Sequence, residues 1–563
     1  MAWLNAAILL AVLLLLAYPL AGYMQAVFEG RRTWLSPALG PLERATYRLC
    51  GIDAEYEMAW GKYALSAIAL SLAGAVVLYV ILRTQAFLPL NPQHFPNLSP
   101  DLAWNAAVSF ATTTDWQFYS GENALGYLAQ MAGMSWQNFV AGAIGLAVGI
   151  AVIRGFARSS SGTLGNFWVD VVRSLLYVLL PLCIVFGLAF ASQGIPQNFS
   201  PYVAATNAER FVQNVTGGPM ASQEAPKLLG GNGGGFVNAN SSSPNENPTG
   251  ISNFLELLAI WIIPAAFPPL FGRMTGKPRA GTVILGVMIV LAALSFAGAQ
   301  LAEQAGNPFV HALGVGGGNL EGKEVRFGIE NAGLSLAVAT DSGTGSSNFA
   351  YDSLTPIGGL FALVNLQLSE IVFGGVGSGL YGLLVFAVLT VFICGLMIGR
   401  TPEYLGKKIE RREVQFAILS VLMFTVLVLV PTAMAAVTPV GRPTLGNAGP
   451  HGFSEILYAF SSNAANNGSA FAGLGPNLFY EIATGITMLG GRFLVMVPTL
   501  ALAGALARRP TNAKPSGTFR TDNLVFAALL VSVILLVGAL TFLPADGLGP
   551  IAEQVLLSQG RTF

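Results

Sequence analysis

Of the chain's 563 residues, 53% are hydrophobic and only 10% charged, against roughly 25% charged in an ordinary soluble domain. With a mean hydropathy of +0.61, this excludes a water-soluble globule and leaves a multi-pass membrane protein. The 28 basic and 28 acidic residues cancel, so no bulk charge points to nucleic acid or to an acidic protein partner.

Charge-poor apolar segments near the roughly 20 residues that cross a bilayer predict ten spans, at 2–22, 63–82, 125–153, 172–192, 254–272, 281–301, 354–398, 414–436, 479–506 and 523–543. The first lacks a basic leading region and an obvious small-x-small cleavage site, so it reads as a retained helix and not a signal peptide. Alternate connections carry loops of Gly, Asn, Ser and Thr: SFATTTDWQFYSG (109–121), GGNGGGFVNAN (230–240), ATDSGTGSSNFAYDS (339–353) and SSNAANNGSAFAGLG (461–475). The seventh span is too long for one straight helix, and FGGVGSGLYG (373–382) interrupts it with five glycines. Each costs roughly 1 kcal/mol in a helix, so a break is predicted there.

The remaining connections are basic. They hold Arg31, Arg32, Arg44 and Arg48; Arg154, Arg158 and Arg173; Arg273, Lys277 and Arg279; Arg400, Lys407, Lys408, Arg411 and Arg412; and Arg508, Arg509, Lys514 and Arg520. Cytoplasmic loops are enriched in Lys and Arg, which puts these inside and the four polar loops outside with both termini. Apolar or aromatic stretches before the polar apices, such as Leu102 to Phe110 and Phe453 to Phe460, predict short re-entrant helices whose C-terminal dipole ends face the apex and favour a cation.

The fold class that follows is an all-α polytopic membrane protein, with ten transmembrane helices forming four helix–pore loop–helix repeats around one pore, plus an extra helix at each end. The repeat recurs about every 110 to 130 residues. The expected bounds are 1–28 for the N-terminal helix, 62–155, 168–273, 280–400 and 412–508 for the repeats, and 522–563 for the last helix and tail.

The apices offer backbone carbonyls and small hydroxyl or amide groups with almost no charge, which is what replaces the hydration shell of a monovalent cation. Gly233, Gly234, Gly235, Gly345 and Gly468 can adopt the dihedrals that turn successive carbonyls to one axis, and Thr112, Thr113 and Thr114 supply oxygens to the first apex. Divalent cations favour carboxylate clusters, yet only Asp115 and Asp341 occur here. Potassium, ahead of sodium, fits.

Cys50, Cys183 and Cys394 are far apart, and His94, His311 and His451 each stand alone. That spacing argues against a disulfide framework or a transition-metal cluster, and for thiols buried as small apolar side chains. Gly377-x-Gly379-x-x-Gly382 with Glu403 superficially matches a dinucleotide fingerprint, but it lies inside a span with no surrounding strand–helix–strand unit. A broken helix acting as a gate or inner seal, or a glycine-rich packing face, accounts better for it. Glu370, just before the break, either lines an ion route or pairs with an arginine such as Arg400 or Arg492. No Asp-Lys-Thr-Gly-Thr motif is present, and the nearest phosphate-loop pattern, Gly317 to Glu324, ends in Glu where Ser or Thr is needed. Any ATP hydrolysis therefore belongs to another subunit.

GNGGGFVNAN, FGGVGSGLYG, IGRTPEYLGKK (398–408) and SSNAANNGSAFAGL, taken together and in order, resemble the potassium-binding A subunit of the bacterial Kdp potassium-transporting ATPase over essentially the whole length. The resemblance implies the potassium transporter superfamily and a non-hydrolytic subunit that captures outside potassium in a high-affinity uptake complex. It passes the ion through an intramembrane tunnel to a P-type ATPase subunit (KdpB), with KdpC and the small KdpF completing an assembly in the bacterial inner membrane. No organic cofactor is implied. Carried onto this sequence, the filter comprises Thr112 and Thr113; Gly231, Asn232 and Gly233; Thr344 and Gly345; and Asn466, Asn467 and Gly468. Gln117 matches a glutamine near the filter that influences affinity, and the gate and tunnel candidates are Glu370, Gly374, Gly375, Gly377, Gly379 and Arg400. Two positions depart from the family pattern: Gly231 stands where a threonine is expected, and the third apex lacks the Cys-Gly form of relatives. The alternative is a Trk/Ktr-like channel or symporter that needs no ATPase.

Overall fold

The computed structural model describes residues 2–369, 371–511 and 520–561; Glu370 and Lys514, both invoked above, lie outside them. Among the described residues, ten helices are long and apolar enough to cross a membrane, from Ala2–Phe28 to Leu524–Leu548. Four shorter helices precede the polar apices: Pro100–Ala111, Met220–Leu229, Gly328–Asp341 and Gly449–Ala465. Their starts are written locally. Ser99 caps the first, its hydroxyl accepting from Leu102 N–H at 3.4 Å with Pro100 in the first turn.

Burial divides the spans into two rings. In the third, fifth, seventh and ninth spans, between 61% and 89% of the most apolar stretch is buried, against 17% to 56% in the other six. The well-buried set is the helix that follows each apex, so those four make the inner wall and the rest stand outside it. Small residues let the inner wall approach the apices closely: a methyl group on Gly142 of the third span would lie 2.7 Å from the Cα of Gly230.

The seventh span is broken, as the glycines predict, but earlier than they predict. A helix over Pro356–Gln367 ends, residues 368, 369 and 371–377 run irregularly with Ser369 and Phe373 in the left-handed region, and Ser378–Met397 resumes the helix. Gly379 and Gly382 are therefore helical; the break is set by the backbone turns at Ser369, Phe373 and Gly377 (φ 99°).

Among the described residues, strands form only two short ribbons. One pairs Val203–Thr206 with Val212–Val215 in the loop before the second apex, Val203 opposite Val215. The other, Glu403–Tyr404 with Lys407–Lys408, lies on the side of the basic connections within IGRTPEYLGKK. Its Lys407 is buried and donates to the carbonyls of Gly155 (2.9 Å), Leu506 (3.0 Å) and Arg158, which ties the C-terminal ends of the third and ninth spans together. Nearby, Arg154 pairs with Asp170 at 2.6 Å, and Arg509 with Glu410 and Glu413 at 2.8 and 3.0 Å.

Two expectations need correction. Cys50 is exposed, and Cys183 and Cys394 are only partly buried, because all three sit on outward helix faces. Nor does His451 stand alone. It lies between Asp352 (3.1 Å) and Glu553 (3.0 Å), with Glu455 close enough that Asp352, His451 and Glu455 could converge on one ion. Residues 99 and 102 positions away in sequence meet only in the fold. Burial opposes the imidazolium, but hydrogen bonds to the two carboxylates outweigh it and hold His451 up at about 10. A raised histidine stabilises the fold fully below its unfolded value of about 6.5, progressively less as pH rises, and not at all once pH passes its folded value. The melting temperature of the purified protein should therefore fall more steeply between pH 7 and pH 10 than that of His451→Gln; parallel curves would remove this tie.

Candidate functional site

The four apices touch one another in a closed ring. A methyl group on Gly233 would overlap the amide nitrogen of Gly345; one on Gly345 would lie 2.6 Å from the carbonyl carbon of Gly468; one on Gly468 would overlap the carbonyl oxygen of Thr114; and one on Gly234 would lie 2.5 Å from the carbonyl oxygen of Asp115. First, second, third and fourth apices are thus joined cyclically at one level, with no room for a side chain between them. Gly468 has φ 92°, a conformation open chiefly to glycine. Thr113 (φ 65°), Asp115 (φ 54°) and Asn466 (φ 60°) also lie in the left-handed region, where non-glycine residues are uncommon and mark constrained sites.

Side chains lace the ring from behind. Asp115 Oδ2 accepts from the N–H groups of Gly233 (3.3 Å) and Gly234 (3.2 Å), which braces the second apex from the first. Gln117 Nε2 donates to the carbonyl of Gly235 at 3.1 Å. Asn466 Nδ2 donates to Thr114 Oγ1 at 2.9 Å, joining the fourth apex to the first. Asn467 Nδ2 donates to the carbonyls of Ala339 (2.8 Å) and Ser342 (2.7 Å), joining the fourth to the third. Ser241 and Ser346 share a bond of 2.6 Å behind the second and third.

Behind the second apex lies a buried charge cluster. Lys227, wholly buried, pairs with Glu224 at 2.8 Å and Glu246 at 3.0 Å. Glu246 also accepts from Val237 N–H at 2.7 Å, so the carboxylate that neutralises the lysine also pins the chain just past the apex.

The structure brings Gly233, Gly345 and Gly468 to the ring. Asn232 and Asn467 are wholly buried, and their amides donate to backbone carbonyls. The hydroxyl of Thr112 turns back to the carbonyls of Val108 (2.9 Å) and Ser109 (3.1 Å). Thr113 Oγ1 meets Arg492 at 3.3 Å. Thr344 Oγ1 is buried with no hydrogen-bond partner among the described residues, an oxygen left over for a ligand. Gly231 sits lower: a methyl group there would lie 3.1 Å from Val376 N and 3.2 Å from Gly375 Cα.

The break of the seventh span therefore packs directly under the second apex. Beneath the first, third and fourth apices the same break borders a cavity of about 40 Å³ lined by Thr113, Gly343, Gly375, Ser378, Asn466 and Arg492, among others. Gly374, Gly375 and Gly377 belong to this floor, and Gly379 packs on Gly374 from the first turn of the following helix. Arg400 does not: it is exposed past the end of that helix, a 20-residue helix being about 30 Å long. Arg492, considered from sequence only as a partner for Glu370, is the arginine at this floor. A charge midway along the ninth apolar span was the signal for it. Thr114, expected only as one of three threonine oxygen sources in the first apex, stands at the ring in place of a glycine, and Asp115 is its brace; a loop sequence does not tell which residue shares a level with which.

The family model described as the potassium-transporting ATPase A subunit matches residues 7–555. The chain belongs to that family. Curated relatives named potassium-transporting ATPase potassium-binding subunit include one from Rhizobium rhizogenes, 52% identical over 562 residues and covering 100% of this chain and 99% of the relative. Another from Methylorubrum extorquens is 52% identical, with 100% and 98% covered, and one from Mesorhizobium japonicum is 50% identical, with 100% and 99% covered. Among solved structures, the potassium transporter TrkH from Vibrio parahaemolyticus matches with a TM-score of 0.50 at 15% identity, over 86% of this chain and 96% of that one. At that identity the likeness concerns the fold alone: a membrane transporter fold shared well beyond sequence similarity. Membership of the A-subunit family and ten apolar helices make the chain a multi-pass membrane subunit for potassium transport.

Proposed function

We propose that the chain captures potassium from the outer side in a filter made by its four apices, and hands the dehydrated ion through an intramembrane route to the P-type ATPase subunit that hydrolyses ATP. The observation that carries this reading is the closed ring of Thr114, Gly233, Gly345 and Gly468. Four short helices end at the apices, so their C-terminal dipoles add negative potential where the cation rests. Carbonyls at the ring and the unpartnered Thr344 hydroxyl supply oxygens in place of water. Thr112, Thr113, Gly231, Asn232, Asn466 and Asn467 build and hold the layers beneath, and Gln117 sets the rim.

The names of the relatives support a potassium-binding subunit of an ATPase. In this reading the complex also contains KdpC and KdpF, sits in the bacterial inner membrane, and has both termini of this chain outside. The likeness to TrkH also suits a self-sufficient channel, but the family match over 7–555 favours the ATPase subunit.

Co-expression with the neighbouring genes tests it. The chain should co-purify with a P-type ATPase whose hydrolysis rises with potassium, and deleting Gly374 to Val376 from the floor should change potassium leak or coupling by severalfold while leaving the outside affinity unaltered. A large affinity loss with an unchanged leak would move that segment into the filter, and potassium uptake by the chain alone would favour the channel.

A further inference from the structure

The inner face carries a basic cavity that the route from filter to floor does not use. It lies between the end of the first span and a helix over Ser36–Cys50, has a volume of about 540 Å³, and is lined by Arg31, Arg32, Arg44, Arg173, Glu43 and Tyr177, among others. Its charges do not balance. Arg31 pairs with Glu29 at 2.8 Å and Arg173 with Glu43 at 3.0 Å. Glu43 is committed further, accepting from the hydroxyls of Tyr47 and Tyr177 at 2.8 Å each. Arg32 and Arg44 have no carboxylate at ion-pair distance among the described residues.

The helix itself has two faces. At 100° per residue, Ser36, Pro37, Gly40, Pro41, Glu43 and Arg44 fall on the side that lines the cavity. Ala38, Leu42, Ala45 and Leu49, at i, i+4, i+7 and i+11, fall on the opposite side, and all four are exposed, Leu49 at 87%. Trp34, just before the helix, is 77% exposed. A helix that leaves a span on the Lys/Arg-rich side, with basic groups on one face and an uncovered apolar stripe on the other, has the amphipathic form of one lying in the headgroup plane.

We propose that this cavity binds the phosphate of an anionic phospholipid of the inner leaflet. Arg32 and Arg44 hold the phosphate oxygens, for which guanidinium geometry is suited, and the Ala38 to Leu49 stripe lies among the acyl chains. The charge left over on the two arginines calls for an anion, and the stripe beside it calls for an anion with a hydrocarbon part.

The test uses the whole complex, purified in detergent and analysed by native mass spectrometry after exposure to phosphatidylglycerol, cardiolipin or phosphatidylcholine. Wild type should retain the two anionic lipids and not phosphatidylcholine. Arg32→Gln/Arg44→Gln should retain at least fivefold less, with Arg32→Lys/Arg44→Lys in between. Glycerol phosphate at millimolar concentration should not displace the lipid; displacement would assign the site to a soluble phosphate and overturn the proposal, as would equal retention by the glutamine variant. A photo-crosslinking residue at Leu42 in an otherwise unaltered complex gives a reading that does not depend on the arginine variants assembling: adducts to phospholipid support the proposal, and adducts to a partner subunit overturn it.

Discussion

Replacing Gly468 by aspartate raises the potassium concentration that half-activates ATP hydrolysis by the intact complex at least tenfold, and relaxes discrimination against sodium. Any side chain here must adopt φ 92° and displace the Thr114 carbonyl. Left-handed backbone costs a non-glycine residue roughly 1–2 kcal/mol, and about 1.4 kcal/mol is already tenfold in binding. The overlap comes in addition, and the carboxylate brings a charge to a ring that, on the proposed function, selects through neutral carbonyls. Gly468→Ala carries the strain without the charge, so it should lose affinity while keeping more of its selectivity. Assembly is monitored by co-purification of the ATPase subunit. An unchanged potassium activation curve in an assembled Gly468→Asp complex would remove Gly468 from the filter.

Lys227→Met acts on the fold before it acts on the ion. The ammonium is wholly buried between Glu224 and Glu246, and removing one partner of a buried pair costs about 3–5 kcal/mol because the remaining charge is left in a medium that cannot solvate it. Set against a typical total of roughly 5–15 kcal/mol, that is enough to lower the yield of assembled complex severalfold and to lower its melting temperature. Since Glu246 also holds Val237 N–H, the surviving complex should show weaker potassium binding. Lys227→Met/Glu224→Gln/Glu246→Gln removes both signs together, so it should recover part of the stability. A melting temperature equal to wild type in the single variant would mean that the cluster contributes nothing.

Much of the architecture was legible because it is written in composition. Ten apolar runs and four polar apices place the helices and the loops between them with no knowledge of contacts, and the helix-breaking cost of glycine located an interruption in the seventh span. The start of that interruption was missed because Ser369 and Phe373, not glycines, take left-handed dihedrals there. At the site, the sequence marked Gly233, Gly345 and Gly468 but could not rank the residues of an apex by depth. Thr114 occupies the ring level through its backbone, which any residue offers, and Asp115 braces glycines 118 and 119 positions away. Arg400 and Arg492 were equal candidates as partners of Glu370, with Arg400 alone among the gate candidates, while the fold puts Arg492 on the cavity beneath the ring. His451 meets its carboxylates only across about a hundred residues. Each of these turns on spatial register, which local pattern does not carry.

The contact of Asn466 with Thr114 spans 352 residues. During synthesis at about 5–20 residues per second, the first apex therefore waits on the order of 20 to 70 seconds for the partner that closes the ring. During that interval the inserted part of the chain gains its second and third walls and never a closed ring. On the proposed function, a one-chain pore of this kind becomes a potassium site only with its last repeat, so the half-made subunit does not offer the membrane a finished leak.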